Sequence, residues 1–116
     1  MRPRLVTKFG GTSLATREAW LQTLSVIESR RDKNPLVVVS AVGSVPGRPK
    51  VTDLLLEMLE SEQPARAREK LEALHRDLLE SLEQPTDLLD EHFEALRKAV
   101  ESCSKTPNEE EKDRVV

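Results

Sequence analysis

The chain has 116 residues, of which 37% are hydrophobic and 34% charged, and its formal net charge is -3. That length holds one small domain or part of a larger one, and no apolar run approaches the roughly 18 residues that a membrane span needs. Acidic and basic residues are interspersed, Tyr is absent, and Phe and Trp are few, so neither a nucleic-acid partner nor a membrane is expected. The opening Met1-Arg2-Pro3-Arg4 is basic, but Leu5-Val6 give way at once to Thr7-Lys8. No secretory apolar region forms there, and a cytoplasmic protein is expected. Cys103 is the single cysteine, which excludes an internal disulfide and suits a packed thiol in a reducing compartment.

The first elements in chain order are strand, helix, strand. Residues Arg4 to Phe9 form a short run ending in Gly10-Gly11, and Leu36-Val37-Val38-Val39 is a continuous run of the kind that parallel strands covered on both faces carry. Between them Trp20, Leu21, Leu24 and Ile27 recur at helical spacing, which predicts an amphipathic helix from about Leu14 to Arg31, with Thr12 or Ser13 as its cap. Asn34-Pro35 ends the connection. This is a βαβ unit, whose crossover is expected to be right-handed.

The second half is helical and charged. Thr52 is the expected cap of a helix over about Asp53 to Ser61, with Leu54, Leu55, Met58 and Leu59 on its apolar side. Pro64 suits the first turn of a longer helix that aligns Leu71, Leu74, Leu78 and Leu82. Gln84-Pro85 breaks it, and Thr86 is the expected start of a third helix aligning Leu89, Phe93, Leu96, Val100 and Cys103. These stripes predict an antiparallel hairpin. Residues Lys105 to Lys112 are polar, and Arg114-Val115-Val116 reads as the beginning of an apolar segment, so the domain is expected to be incomplete.

The chemistry gathers where the first strand meets the first helix, at Lys8-Phe9-Gly10-Gly11-Thr12-Ser13. Glycines before a helix let backbone approach a phosphate, the helix N-terminus favours an anion, and Lys8 can set an ammonium against the same group. A Gly-Gly turn also serves as a tight connection and a strand lysine as a solvated charge, so on these grounds site and scaffold both stay open. The spacing is neither that of a Walker A motif nor Gly-x-Gly-x-x-Gly. The Pro/Gly-rich stretch Val42 to Val51 reads as an exposed loop, or as a basic flap through Arg48 and Lys50. His75 and His92 are isolated on helices without metal-ligand spacing.

Lys8-Phe9-Gly10-Gly11-Thr12-Ser13 resembles the signature of aspartate kinases within the amino acid kinase family. Kinases of that family acting on glutamate, acetylglutamate, carbamate or uridylate differ at this point. Val37-Val38-Val39-Ser40-Ala41 looks like the family's second strand and its Ser-Ala turn, and Val51-Thr52-Asp53-Leu54-Leu55 looks like the start of the following helix. A helical hairpin also has a place there, and Asp113-Arg114-Val115-Val116 resembles the approach to a Ser-x-Gly-Glu motif. The resemblance covers the whole chain but only the N-terminal part of such an enzyme.

The resemblance implies an α/β fold: the βαβ part of an amino acid kinase-type parallel-sheet sandwich at residues 1–52, then a charged helical part at 53–116. The rest of the kinase domain and the regulatory ACT domains would lie outside the chain. It further implies transfer of the γ-phosphoryl group of ATP, with Mg2+, to the side-chain carboxylate of L-aspartate, the first step towards lysine, threonine and methionine. Lys8 would bind the transferring phosphate as the catalytic residue, with Phe9, Gly10, Gly11 and Ser13 around the phosphates. Ser40 would lie beside the acceptor and Thr52 would hold aspartate. Such a step relies on positioning and charge stabilisation, which a lysine and backbone amides supply. Self-association or a homo-oligomer is expected. Other readings are a non-catalytic remnant pairing with another subunit through open strand edges, and a helical interaction module.

Overall fold

The computed structural model describes Arg2 and residues 4–105, with side chains through Cys103. Expectations for the segment beyond Lys105, including Arg114-Val115-Val116, lie outside the described residues. The chain divides into two compact units, one up to Val51 and one from Thr52 onward.

In the first unit, two short runs rich in β-branched residues extend as strands β1 (Leu5–Phe9) and β2 (Pro35–Val39). They pair in parallel, in register from Leu5 with Pro35 to Phe9 with Val39. Asn34 takes the left-handed conformation just before β2, at φ 46, where asparagine is better tolerated than most residues. Its side-chain amide donates to the Arg2 carbonyl at 3.1 Å. Period-two alternation puts Val6 and Lys8 on one face with Leu36 and Val38. That face is bare, with Val6 65%, Leu36 50% and Val38 42% exposed, whereas Phe9 on the opposite face is buried. The sheet is therefore bare on one face: the unit supplies a single α-helix, which is material for one covering layer.

The connection between the strands also departs from the predicted continuous helix. Gly11–Leu14 form a 3-10 turn, and α1 (Arg17–Ser29) starts only after Ala15 and Thr16. Thr16, in extended backbone, is the cap, and its hydroxyl accepts the Ala19 N–H at 3.2 Å. Thr12 and Ser13 lie inside the preceding turn instead. The buried face of α1 is rotated as well. Thr23 is 3% exposed, beside half-buried Trp20 and Ile27, while Leu21 and Leu24 face solvent. The cause is hydrogen bonding: the Thr23 hydroxyl donates to the Ser13 carbonyl and the Trp20 indole N–H to the Leu14 carbonyl, each at 2.8 Å. Satisfied in this way, a polar residue can occupy the interior position that the sequence pattern assigned to leucine.

The second unit contains α2 (Val51–Glu60, its first residue shared with the unit boundary), α3 (Pro64–Ser81) and α4 (Asp90–Lys105). Thr52 is not a cap, because α2 begins one residue earlier. Val51, Leu54 and Met58 recur at helical spacing and all are buried, which draws Val51 into the helix. Pro64 stands in the first turn of α3, where its missing N–H costs nothing. At the other end Glu83 N–H donates to the Glu80 carbonyl and Gln84 N–H to the Leu79 carbonyl, a Schellman closure with Glu83 left-handed at φ 58. Glycine suits that position better than glutamate. Glu83→Gly is accordingly expected to raise the unfolding free energy by about 0.5–1 kcal/mol in denaturant titration.

Helix α4 begins at Asp90 rather than Thr86. Leu88 N–H bonds to the Pro85 carbonyl and Asp90 N–H to the Asp87 carbonyl, so residues 86–89 form turns, and Asp90 and Glu91 then occupy the helix's first turn, where its dipole favours them. Ala67, Leu71 and Leu74 of α3 are buried, as are Phe93, Val100 and Cys103 of α4. His75 meets Phe93 edge to face at 6.1 Å between ring centres. Arg76 lies 4.8 Å over the same ring and pairs with Asp90 at 2.9 Å. His75 is thus a packing residue, its Nδ1 2.7 Å from the Leu71 carbonyl.

Candidate functional site

The C-terminal end of the parallel pair gathers most of the residues singled out in the sequence. Lys8 is the penultimate residue of β1 and is exposed. Phe9 follows with its ring buried, so it offers only backbone to this surface. Ser40 N–H donates to the Phe9 carbonyl at 3.1 Å, extending the pairing one step past β2 and placing Ser40 beside the start of the glycine turn. The Ser40 hydroxyl is exposed and donates to the Ala41 carbonyl at 3.1 Å.

The turn is fixed from several directions. Ser13 N–H donates to the Gly10 carbonyl at 3.1 Å, closing the 3-10 turn. Thr23 and Trp20 hold the next carbonyls, those of Ser13 and Leu14. Gly43 N–H reaches the Gly11 carbonyl at 3.0 Å. The two glycines approach so closely that a Cβ on Gly43 would lie 2.4 Å from the Gly11 carbonyl carbon and oxygen, and one on Gly11 would lie 3.0 Å from the Gly43 Cα. Gly10 is different: a Cβ there would meet nothing within 4 Å. Gly10 is exposed, with free space beside its Cα and its carbonyl held by Ser13, whereas Gly11 packs against Gly43.

Two features of this end escape a reading of the sequence. Gly43 makes the tightest approach of the glycines here, against Gly11, yet it sits in a stretch that reads as an exposed loop. Arg48, read there as part of an exposed loop or of a basic flap, is half-buried and donates through Nη2 to the Ala15 carbonyl at 2.9 Å and the Gly43 carbonyl at 2.5 Å. Its Nε is buried without a partner. The charge distribution is also hidden in the whole-chain total. Residues 1–51 hold nine Lys and Arg against three Asp and Glu, while the remaining chain holds nine against eighteen. The unit with the glycine turn is thus strongly basic, which favours an anionic ligand at long range.

Thr52 lies in the other unit, exposed in the first turn of α2. The α1 N-terminus follows the glycines only after an intervening 3-10 turn, so its dipole does not begin at Gly11. Among the described residues no three His, Cys, Asp or Glu side chains group to hold a metal ion. No described helix is long and apolar enough to cross a membrane.

No family model matches the sequence, and no curated protein matches it. Solved structures do. The aspartate kinase of Clostridium acetobutylicum, described as an allosteric enzyme, superposes with a TM-score of 0.71 at 26% identity over 87% of this chain and 24% of its own. Escherichia coli aspartokinase III, solved in complex with aspartate and ADP, gives a TM-score of 0.64 at 27% identity over 96% of this chain and 25% of its own. The chain therefore spans about a quarter of the length of either enzyme. In fold as in its Lys8–Ser13 motif it resembles a segment of aspartate kinases.

Proposed function

We propose that the chain is the phosphate-binding segment of an aspartate kinase, contributing to transfer of the γ-phosphoryl group of ATP to the side-chain carboxylate of L-aspartate. The observation that carries this reading is the open backbone at Gly10 beside exposed Lys8, on a segment whose structural neighbours are aspartate kinases, one of them solved with aspartate and ADP. In the proposed step a carboxylate oxygen of aspartate forms a bond to the γ-phosphorus as the bond to the β-γ bridging oxygen breaks, leaving ADP and 4-phospho-L-aspartate. Lys8 neutralises charge on the transferring group, and the backbone of Phe9, Gly10 and Gly11 together with the Ser13 hydroxyl positions it. Ser40 borders the acceptor, and the Thr52 hydroxyl binds aspartate. Residues 1–52 form the phosphate-binding part and 53–116 the helical part of the kinase domain. Mg2+ would arrive with ATP, since among the described residues no three His, Cys, Asp or Glu side chains group to hold it. The same reading places the protein in the cytoplasm, in amino-acid biosynthesis towards lysine and threonine, as part of a self-associating enzyme.

A second reading, a non-catalytic remnant that pairs with another polypeptide, is favoured by the exposed Val6, Leu36 and Val38 on one sheet face. An ATP-dependent aspartyl hydroxamate assay separates the two. The 116-residue chain alone is expected to give no turnover, because a site missing its other walls cannot hold donor and acceptor within the about 1 Å that the rate demands. A form extended by the motifs it lacks is expected to turn over. A folded extended form that leaves aspartate unphosphorylated contradicts the first reading and favours the second.

A further inference from the structure

Arg48 spans two elements that the chemistry needs kept together. Its Nη2 holds the Ala15 carbonyl, directly after the Gly11–Leu14 turn, and the Gly43 carbonyl, while Gly43 N–H holds Gly11 at the other end of that turn. One guanidinium group thereby brackets the glycine turn from both sides. The surrounding segment is fastened too, since Arg48 N–H donates to the Val45 carbonyl at 3.1 Å. We infer that Arg48 is a positioning residue for the phosphate turn, clamping Gly43 against Gly11 so that the open Gly10 backbone keeps its shape for an incoming polyphosphate.

This inference rests on the phosphate-binding reading of Lys8 to Ser13. A plainer role, anchoring an exposed loop, would be met by any one of these contacts. It does not account for a side chain that reaches past its own loop to the Ala15 carbonyl while leaving Nε buried and without a partner. Such an unmatched group carries a desolvation cost that stability alone does not favour. Both bonds leave the two N–H groups of one nitrogen, Nη2, held in the guanidinium plane, whereas a lysine ammonium can donate to the same carbonyls only from a shorter and more mobile stem.

The test compares the 116-residue chain with Arg48→Met and Arg48→Lys, using hydrogen exchange and binding of inorganic tripolyphosphate. In Arg48→Met the Gly43 amide should exchange about tenfold faster or more, while amides of β1 and β2 keep their parent rates and tripolyphosphate binds about tenfold more weakly. Arg48→Lys should recover part of both losses. Unchanged Gly43 exchange in Arg48→Met overturns the clamp, as does acceleration shared equally by the strand amides, which a general loss of stability would produce. A parent chain that binds no tripolyphosphate overturns the phosphate reading instead, and the exchange data then decide the clamp by themselves.

Discussion

Gly43→Ala is expected to lower the unfolding free energy of the chain by about 3 kcal/mol or more, at or beyond the upper end of ordinary overpacking. The added methyl would fall 2.4 Å from two backbone atoms of Gly11 and 2.9 Å from the Thr12 nitrogen. None of these is the end of a flexible side chain that can swing aside. Relief therefore requires the Gly43 N–H to Gly11 carbonyl bond to break and the two segments to separate. Gly10→Ala is the internal control. Gly10 has φ -77 and free space around its Cβ position, so its stability should stay within about 0.5 kcal/mol of the parent or rise slightly. Urea titrations of both variants check the pair. A Gly43→Ala chain as stable as Gly10→Ala would mean that the contact between the two glycine segments is not part of the folded state.

Lys8→Met is expected to leave folding unchanged and to remove function. Lys8 is exposed and, among the described residues, forms no ion pair, so the ammonium has no structural partner to lose. Methionine keeps the unbranched stem. In a form that phosphorylates aspartate, loss of a positioned charge on the transferring phosphate should lower turnover by about a hundredfold or more. Steady-state kinetics together with a melting curve decide the matter. Turnover within about threefold of the parent, at equal Tm, would take Lys8 out of the reaction and leave it a solvated strand lysine.

Local signals carried the outline of the fold because they need no distant partner. The β-branched runs at Leu5–Phe9 and Pro35–Val39 and the Gln84-Pro85 break were legible from residue type alone. Around α1, where the reading failed, a hydrogen bond had overridden a pattern. Leu21 and Leu24 match an amphipathic stripe, yet the Thr23 hydroxyl finds the Ser13 carbonyl, and α1 turns that face inward. Thr12 and Ser13 are good caps by composition, but the 3-10 turn closes first and leaves Thr16 to cap α1. The candidate site was half legible. Lys8, Gly10, Gly11 and Ser13 announce themselves by motif, and Ser40 by the end of a strand. Gly43 and Arg48 do not, since their significance lies in contacts with residues about thirty positions away in the chain. No local periodicity encodes such contacts.

The most direct test of the central claim, that the turn beside Lys8 receives the phosphates of ATP, is an ATP titration of the 116-residue chain followed by amide chemical shifts. Saturable shifts are expected at Lys8, Phe9, Gly10, Gly11, Ser13 and Ser40, and inorganic tripolyphosphate should reproduce those of the turn. Lys8→Met should abolish them, and Gly10→Ala, whose fold has room for the methyl group, should weaken binding by about tenfold, or about 1.4 kcal/mol. An ATP response centred elsewhere on the chain, or one at the turn that persists unchanged in both variants, would contradict the account.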